Sequence, residues 1–398
     1  CSAQMRQGMT ERHLPSALRG LLPRLCLHLW PRLWPRLWPR LWTRLWLGSL
    51  HCLMLGLCLS SATTQAQSTT SAVASPASLG STTRQRIASP HAMSRDTLAG
   101  ETYMGVRLLG ALKLDAVEVD GHLLGGISAL GWDHDEQLLY ALSDRGYVFH
   151  LRVEFDKDGL LHDVHALSAH ALLDARGRAL KGRLADSEGL VVRYGRNGKA
   201  GDAQLVVSFE RRPRVIRFDA FGKMLGNEAL PAALSDINNY ARANRALESI
   251  AWHPQWHYLT APEQPMQGSS ESIVPLFALD PAQHWRYPLA AEPNAGLTAI
   301  EVLDDGSILT LERGFGVFFV PVISTLRRIA KLPEEAGTLL APQTIARFNS
   351  GQGWYIDNFE GLTHLGHGRI LMVSDDNTKP FQSTLLAAFE LLQTNASQ

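Results

Sequence analysis

The sequence has only four cysteines in 398 residues, and all of them lie near the start of the chain, at Cys1, Cys26, Cys52 and Cys58. The remaining body has none, which excludes disulfide bonds, a thiolate nucleophile and a cysteine-ligated zinc site there. The chain also lacks a P-loop and a Gly-x-Ser-x-Gly motif, so a serine hydrolase would lack its nucleophile elbow. Hydrolytic chemistry in this body would have to use other groups.

Acidic residues are almost absent from the first 66 positions, which hold eight arginines and one acid, Glu11. A Trp-Pro-Arg-Leu repeat is followed by an apolar run over 45–59 and by small residues ending at Ala66. This order is typical of a secretory signal, and the run is shorter than the ~20 residues of a membrane span. We expect a signal segment over 1–66, cleaved near Ala66, and an exported protein, periplasmic or secreted, with no stable membrane span. The alternative is a membrane anchor.

Large apolar residues are scarce over 67–102, where Ser, Thr, Ala and Pro dominate, and this composition predicts a disordered linker. The whole chain has 38 Lys and Arg against 38 Asp and Glu; removing eight arginines and one glutamate leaves a body with a net charge of about −7. An acidic body argues against a nucleic-acid partner and suits cation binding. We expect a monomer that acts on a small molecule.

Helical periodicity is nearly absent after position 103, where short alternating runs are punctuated by Gly, Asp and Pro. We expect helices only over 235–246 and 323–329. The pattern predicts an all-β domain over 103–394.

One stretch, over 358–377, contains two apolar runs separated by a glycine turn, with Glu360 near its start and Asp375 near its end. This pattern predicts a hairpin whose two carboxylates lie at one edge. The pattern occurs five times along the chain, and each copy with its following strand is the size of a propeller blade. Because the segment 103–119 could supply one more blade, we expect a β-propeller of six blades.

Three copies carry glutamate at the same leading position, at Glu188, Glu248 and Glu360. Turn chemistry accounts for glycine and aspartate in such repeats but not for glutamate. Equivalent points of propeller blades face one axis, where carboxylates repel one another unless a cation or basic side chains intervene. Calcium prefers oxygen ligands, so we predict a divalent cation, Ca²⁺, held by Glu188, Glu248, Glu360, Asp144 and Asp375.

The motifs Asp186-x-Glu188-Gly189-Leu190, 208–211, 357–362 and 374–377 together resemble the phytase-like family, also described as the "esterase-like activity of phytase" domain of exported bacterial proteins. The resemblance covers about 105–392. It implies a propeller with acidic residues that serve phosphoester hydrolysis. The chain departs from the acidic pattern at Ile127 and Leu297, which stand where glutamate leads in the other copies.

Arginines that follow the terminal acids have the shape to grip phosphate, so Arg145, Arg211 and Arg313 are predicted to bind substrate, with ion pairing between blades as the alternative. Catalytic roles are predicted for Glu210 and Glu312. The sequence thus predicts an exported, Ca²⁺-assisted hydrolase of a small phosphoester. Two alternatives remain open at this point: a propeller enzyme of the lactonase or esterase type, and a non-catalytic binding protein stabilised by Ca²⁺.

Overall fold

A computed structural model of the protein describes residues 84–269, 272–314, 321–377, 379 and 382–392, so the expected signal segment lies outside the described residues. Within these ranges the chain is all-β, as predicted. Its helical turns are Ala232–Ser235, Gly182–Leu184, Ile237–Asn239 and Ser350–Gln352. No helix of the described ranges is both long and apolar enough to cross a membrane.

The strands form five antiparallel sheets, which are the blades of a β-propeller. Blade 1 contains β7 (Ile127–Asp133), β8 (Leu138–Ser143), β9 (Tyr147–Phe155), β10 (Leu161–Ala171) and the short β1 (Gln85–Arg86). Blade 2 contains β11 (Ser187–Arg193), β12 (Gln204–Phe209), β13 (Arg214–Asp219) and β14 (Met224–Glu228). Blade 3 contains β15 (Leu247–His253), β16 (His257–Pro262), β17 (Ile273–Leu279) and β18 (Ala282–Pro288).

Blade 4 contains β19 (Gly296–Val302), β20 (Ile308–Gly314), β21 (Ile323–Ile329) and β22 (Gln343–Asn349). Blade 5 contains β23 (Phe359–Gly366), β24 (Arg369–Ser374), β25 (Leu385–Leu391), β4 (Val106–Leu114), β2 (Ala88–Pro90) and β3 (Thr102–Tyr103). A separate small hairpin joins β5 (Glu118–Val119) to β6 (His122–Leu123).

The first strands of the blades form a closed inner ring, in which β7, β11, β15, β19 and β23 each contact the next and β23 contacts β7. Strand β4, which precedes blade 1 in the chain, pairs with β25 and thereby completes blade 5. The described residues therefore form five blades, and the prediction of six is wrong. The segment expected to form a sixth blade supplies the closing strand of the fifth, which covers an edge that would otherwise be exposed.

The apolar cores lie between blades. In β24, Ile370 and Met372 pack into the core between blades 4 and 5, whereas Leu371 and Val373 pack into the core between blades 5 and 1. Alternate residues of a strand point to opposite faces, and here both faces are covered by a neighbouring blade. This double burial explains why the strand is apolar at consecutive positions, with each buried side chain contributing roughly 1.5–3 kcal/mol.

Two local predictions are wrong, and a third is correct only in part. Residues 84–102 of the predicted linker are ordered, since β1 pairs with β10, β2 pairs with β4, and Ile87 is fully buried. The helix predicted over 323–329 is strand β21, because its backbone pairs with both β20 and β22. Of the helix predicted over 235–246, only Ile237–Asn239 and the last residue of Ala232–Ser235 are helical.

Candidate functional site

Each inner strand begins with a β-bulge, in which one extra residue has no partner on the second strand of its blade. The extra residues are Ser128, Glu188, Glu248, Thr298 and Glu360. A bulge re-aims the side chain of its extra residue and is common beside active sites. The five bulges therefore place three carboxylates and two hydroxyls at equivalent points around the inner ring.

The bulges correct the predicted alignment of blades 1 and 4. Ile127 and Leu297, which were predicted to stand at the glutamate position, are fully buried core residues one place earlier. The true equivalents donate hydrogen bonds to carbonyls of the next blade, Ser128 to Ser187 at 2.7 Å and Thr298 to Phe359 at 3.4 Å. At these two points a neutral hydroxyl links neighbouring blades and adds no charge to the ring.

A glycine next to the bulge allows the inner strands to approach closely. A Cβ atom at Gly189 would lie 2.8 Å from the backbone nitrogen of Ile250 in blade 3, and one at Gly361 would lie 3.1 Å from the Cα atom of Ala129 in blade 1. Packing between blades therefore explains the glycine that follows Glu188 and Glu360.

The second strands supply a further set of equivalent positions, each one residue beyond the residue that pairs with the start of the bulge. These positions hold Asp144, Glu210, Glu263, Arg313 and Asp375. Four blades thus place an acid here, and blade 4 places an arginine. The ring therefore includes one positively charged side chain of the protein itself, the guanidinium of Arg313.

These residues surround a pocket of about 680 Å³ at the end of the channel where the inner strands begin, which we call the central pocket. Its carboxylate lining consists of Asp144, Asp186, Glu188, Glu210, Glu248, Asp357, Glu360 and Asp375. Its cationic lining consists of Arg211, Arg245, Arg313 and Lys379. Because carboxylates outnumber cationic side chains, the pocket favours positively charged ligands.

Arg313 neutralises one side of the central pocket. Its guanidinium, about one-tenth exposed, donates to Glu263 Oε1 at 2.9 Å, to Asn358 Oδ1 at 2.8 Å and to Glu360 Oε1. Arg245 also forms an ion pair with Glu263. Although burial raises the pKa of Glu263, Arg313 and Arg245 lower it on balance. This side of the pocket is therefore balanced by the chain's own charges.

The other side of the pocket has carboxylates in excess. Asp186, Glu188 and Glu210 each offer an oxygen within 4.8 Å of the other two, and Glu210, Glu248 and Glu263 do the same. Arg211 pairs with Asp186 at 2.6 Å, but no hydrogen bond or ion pair joins Glu188 to another described residue. Like charges so close together are costly unless protons or a cation separate them.

The pKa values show the effect of this crowding. Burial, and then the negative charges of Glu248 and Glu210, raise the pKa of Glu188 well above its usual range. Burial and Asp186 raise the pKa of Glu210 to about 8. Burial and Asp375 raise the pKa of Asp144 to about 7, and burial raises that of Asp375 to about 6. Without a bound cation, this cluster would therefore hold protons at neutral pH.

The residues present fit a hard divalent cation. Among the described residues, the buried oxygens Glu248 Oε2, Glu263 Oε2 and Asp144 Oδ1 have no hydrogen-bond partner. Unpaired buried carboxylate oxygens are costly, and Ca²⁺ takes carboxylate oxygens as ligands. Glu248 and Asp144 line the central pocket, and Glu263 lies beside Glu248 and Glu210. A histidine or cysteine, which would favour a softer metal, does not line the described part of the pocket.

All five predicted cation ligands, Glu188, Glu248, Glu360, Asp144 and Asp375, line the central pocket. They are not equivalent, because Glu360 is held by Arg313 and by the amide of Asn358 at 2.7 Å. Glu210, predicted to be catalytic, also lines the pocket and belongs to both carboxylate clusters.

Glu312, the other predicted catalytic residue, does not line the central pocket. It is buried against blade 3, where it accepts hydrogen bonds from Tyr287 at 2.5 Å and Ala290 at 2.6 Å, and it pairs with Arg327 at 2.9 Å. A catalytic role for Glu312 is therefore wrong. The residue satisfies polar groups between blades 3 and 4.

The three predicted substrate-binding arginines have different surroundings. Arg313 is held by carboxylates, and Arg211 is half exposed at the pocket edge. Arg145 lies outside the central pocket, where it donates to the carbonyls of Leu123 at 2.9 Å and Gly125 at 2.7 Å. It supports the connection that leads into β7, so only Arg211 is placed to meet a ligand at the pocket edge.

Sequence reasoning left Asp186, Glu263 and Arg245 out of the site. The sequence pattern could have identified the first two, because Asp186 precedes Glu188 by two positions and Glu263 follows Glu248 by the repeat spacing. No feature of the sequence pattern points to Arg245, since it lies in an irregular connection before β15.

A sequence profile of the phytase-like family, described as "esterase-like activity of phytase", matches residues 122–378, more than half of the chain. The chain belongs to this family. Curated proteins give no match to this phytase-like chain. Among solved structures, it is similar to XC5397, a gluconolactonase from Xanthomonas campestris, with 12% identity over 77% of this chain and 99% of that chain and a TM-score of 0.34. That likeness is too distant to carry an argument about function.

Proposed function

We propose that this phytase-like protein is a hydrolase that uses a divalent cation, Ca²⁺, to cleave a small phosphoester in the central pocket. The supporting observation is the cluster of Asp186, Glu188 and Glu210, whose carboxylate oxygens lie within 4.8 Å of one another. Membership of the family gives independent support for ester hydrolysis.

We assign the cation to Asp186, Glu188 and Glu210, with Glu248 beside them. Bound there, a divalent cation would neutralise the substrate's negative charge and lower the pKa of a water molecule. Glu210 belongs to both carboxylate clusters, so we place it with the cation ligands and not in proton transfer.

Proton transfer is assigned to Asp144. Its side chain is about one-third exposed, so it is accessible to substrate and water. Without a cation, burial and Asp375 raise its pKa to about 7. A cation bound nearby would lower this pKa, so Asp144 would be ionised at neutral pH and able to take a proton from water. Arg211, at the pocket edge, is placed to donate hydrogen bonds to phosphate oxygens.

The test combines thermal unfolding with and without Ca²⁺ and turnover of p-nitrophenyl phosphate. Glu188→Gln should abolish both the Ca²⁺-induced rise in Tm and the turnover. Asp144→Asn should keep most of the Tm rise but lower kcat roughly 10²-fold or more. Glu335→Gln removes an exposed acid outside the pocket and should behave like the native protein.

Three outcomes would count against the proposal. Full turnover by Glu188→Gln would exclude the assigned cation site. Turnover that survives complete chelation would exclude a role for the cation. A Ca²⁺-dependent rise in Tm with no hydrolysis of phosphoesters, carboxylesters or lactones would support the non-catalytic alternative, a binding protein stabilised by Ca²⁺.

A second candidate is hydrolysis of a neutral carboxylester or lactone. The observation that favours it is the excess of carboxylates in the central pocket, which repels a phosphate more strongly than an uncharged ester. Turnover of p-nitrophenyl acetate or a δ-lactone, with none of p-nitrophenyl phosphate, would select this reaction.

Export to the periplasm or outside the cell, action as a monomer and the absence of a nucleic-acid partner are also part of the proposal. They are supported by the basic and apolar leader and by the acidic body that follows it. Cell fractionation and the mass of the purified protein in solution would test them.

A further inference from the structure

The channel of the propeller has a second cavity at the end opposite the central pocket, where the five inner strands finish. Its volume is about 450 Å³, which is in the range of small-molecule sites, and we call it the far pocket. Residues near the end of every inner strand line it, among them Trp132, Arg193, Trp252, Glu301 and His364.

A constriction separates the far pocket from the central pocket. The space between them is about 10 Å³, which is the least volume that one water molecule needs. Aliphatic side chains from all five inner strands line it, namely Leu130, Leu190, Ile250, Ile300 and Leu362. A ligand in the far pocket would therefore not reach the carboxylates of the central pocket.

The connection between β11 and β12, residues 194–203, forms one wall of the far pocket, and we call it the strap. It is fixed to blade 1, where the carbonyl of Gly195 accepts a hydrogen bond from the backbone N–H of His134 at 2.7 Å. It is also fixed to blade 4, where Arg196 forms an ion pair with Asp304. Because blades 2 and 4 are not neighbours in the ring, the strap crosses the end of the channel.

The acidic and histidine side chains of the far pocket add little free charge. Asp304 is paired with Arg196. Burial raises the pKa of Glu301 to about 8, so its carboxyl group holds a proton at neutral pH. Burial lowers the pKa of His134 and of His364, so both rings are neutral there.

Arg193 carries a positive charge that no acidic residue of the described ranges neutralises. Its guanidinium lies over the ring of Trp252, 3.1 Å from the ring centroid, and hydrogen bonds to the hydroxyls of Tyr194 and Tyr258 help to hold it there. The remaining N–H groups form a fork that matches the two oxygens of a carboxylate. In the same lining, the buried indole N–H of Trp132 has no acceptor among the described residues.

We propose that the far pocket binds a small organic carboxylate, with its charged group on Arg193 and its body against the apolar and aromatic lining. Trp132, Trp252, Val192 and Leu303 supply that lining. A carboxylate carries one charge and so balances one guanidinium, whereas a phosphate dianion would leave a second negative charge unpaired. The site goes beyond the proposed function and does not depend on it.

The test is calorimetric titration of the full chain with benzoate, a carboxylate on an aromatic ring, at about pH 7 in the presence of a chelator. We expect saturable binding that Arg193→Met weakens at least about tenfold, since methionine keeps the apolar stem but cannot form the charge-assisted hydrogen bonds. The matched control is Arg369→Met, which removes a half-buried guanidinium that lies over the ring of Phe155, outside the far pocket. Its affinity should stay within about twofold of the native value. Benzamide has the same shape without the charge and should bind at least about tenfold more weakly than benzoate.

Two further variants make the result specific to the far pocket. Arg193→Lys keeps the charge but not the fork, so it should weaken binding by about three- to tenfold, and it provides the comparison if Arg193→Met does not fold. Glu188→Gln lies beyond the constriction and should bind benzoate as the native protein does. The proposal is overturned by a lack of saturable binding up to about 10 mM benzoate, by unchanged binding in the Arg193 variants, by equal weakening in Arg369→Met, or by loss of binding in Glu188→Gln.

Discussion

Replacing Arg313 with methionine should destabilise the protein strongly at alkaline pH and weakly at acidic pH. Methionine keeps most of the apolar stem but removes the charge that lies between Glu263 and Glu360. Arg245 still pairs with Glu263, so Glu360 is the carboxylate that loses its cation and keeps only the amide of Asn358.

The magnitude follows from burial. Glu263 and Glu360 are 1% and 7% exposed, and removing one partner of a buried ion pair costs about 3–5 kcal/mol. In the native protein the pKa of Glu263 is lowered, so its contribution to stability is present above the unfolded pKa and lost as pH falls. In the variant, Arg245 still balances Glu263, whereas Glu360 would be a buried charge without a cation unless it takes up a proton. The loss should therefore be about 3–5 kcal/mol near pH 8 and only about 1–2 kcal/mol near pH 5, where protonation can neutralise Glu360.

The assay is urea unfolding at about pH 5 and about pH 8 in the presence of a chelator, repeated with Ca²⁺. Arg327→Met is the matched control, because it removes a buried arginine from Glu312 outside the central pocket. Ca²⁺ should stabilise Arg313→Met more than the native protein, since the carboxylate of Glu360 becomes available, and it should affect Arg327→Met and the native protein equally. A loss below about 1 kcal/mol near pH 8, or an equal loss at both pH values, would refute this account of Arg313. Arg313→Lys keeps the charge and provides a folded comparison.

Two further predictions concern the pocket and the closure of the ring. Burial raises the pKa of Asp375 to about 6, so without Ca²⁺ the free energy of unfolding should fall by about 3 kcal/mol as pH rises from about 4 to about 6 and Asp375 loses its proton. Asp375→Asn should remove this fall in urea unfolding, and parallel pH profiles of variant and native protein would contradict the prediction. Leu109 is fully buried in the closing strand β4, so Leu109→Ala should lower the free energy of unfolding by about 2–5 kcal/mol. Leu98 is 65% exposed, so Leu98→Ala should lower it by less than about 0.5 kcal/mol. Equal effects of the two substitutions would show that β4 does not support the ring.

The propeller was predictable from the sequence because each blade repeats the same hairpin, and the repeat is visible as apolar runs ending in acids. The number of blades was not, because closure depends on a long-range pairing. Leu112 in β4 pairs with Leu386 in β25, and nothing local to 103–119 distinguishes a strand that closes a blade from one that starts its own. The same limit applies to β1 and β2, whose short sequences become strands only through distant partners.

The site was predictable in kind, but its leading position was displaced by one residue in blades 1 and 4, and in blade 4 the terminal position was displaced with it. The interval of 15 positions that joins Glu248 to Glu263 and Glu360 to Asp375 also joins Leu297 to Glu312 and Thr298 to Arg313. An acid at the expected interval favoured the first alignment, but the bulge selects the second. Because successive side chains of a strand point to opposite faces, the first alignment assigns a catalytic role to Glu312, which is a core residue, and misses the role of Arg313 in the site. Arg313 occupies the acid position of its blade, so it neutralises one side of the ring and leaves the excess of negative charge beside Asp186, Glu188 and Glu210. The break in the repeat therefore leaves the excess of carboxylates in blades 2 and 3, which is where we propose that a cation binds.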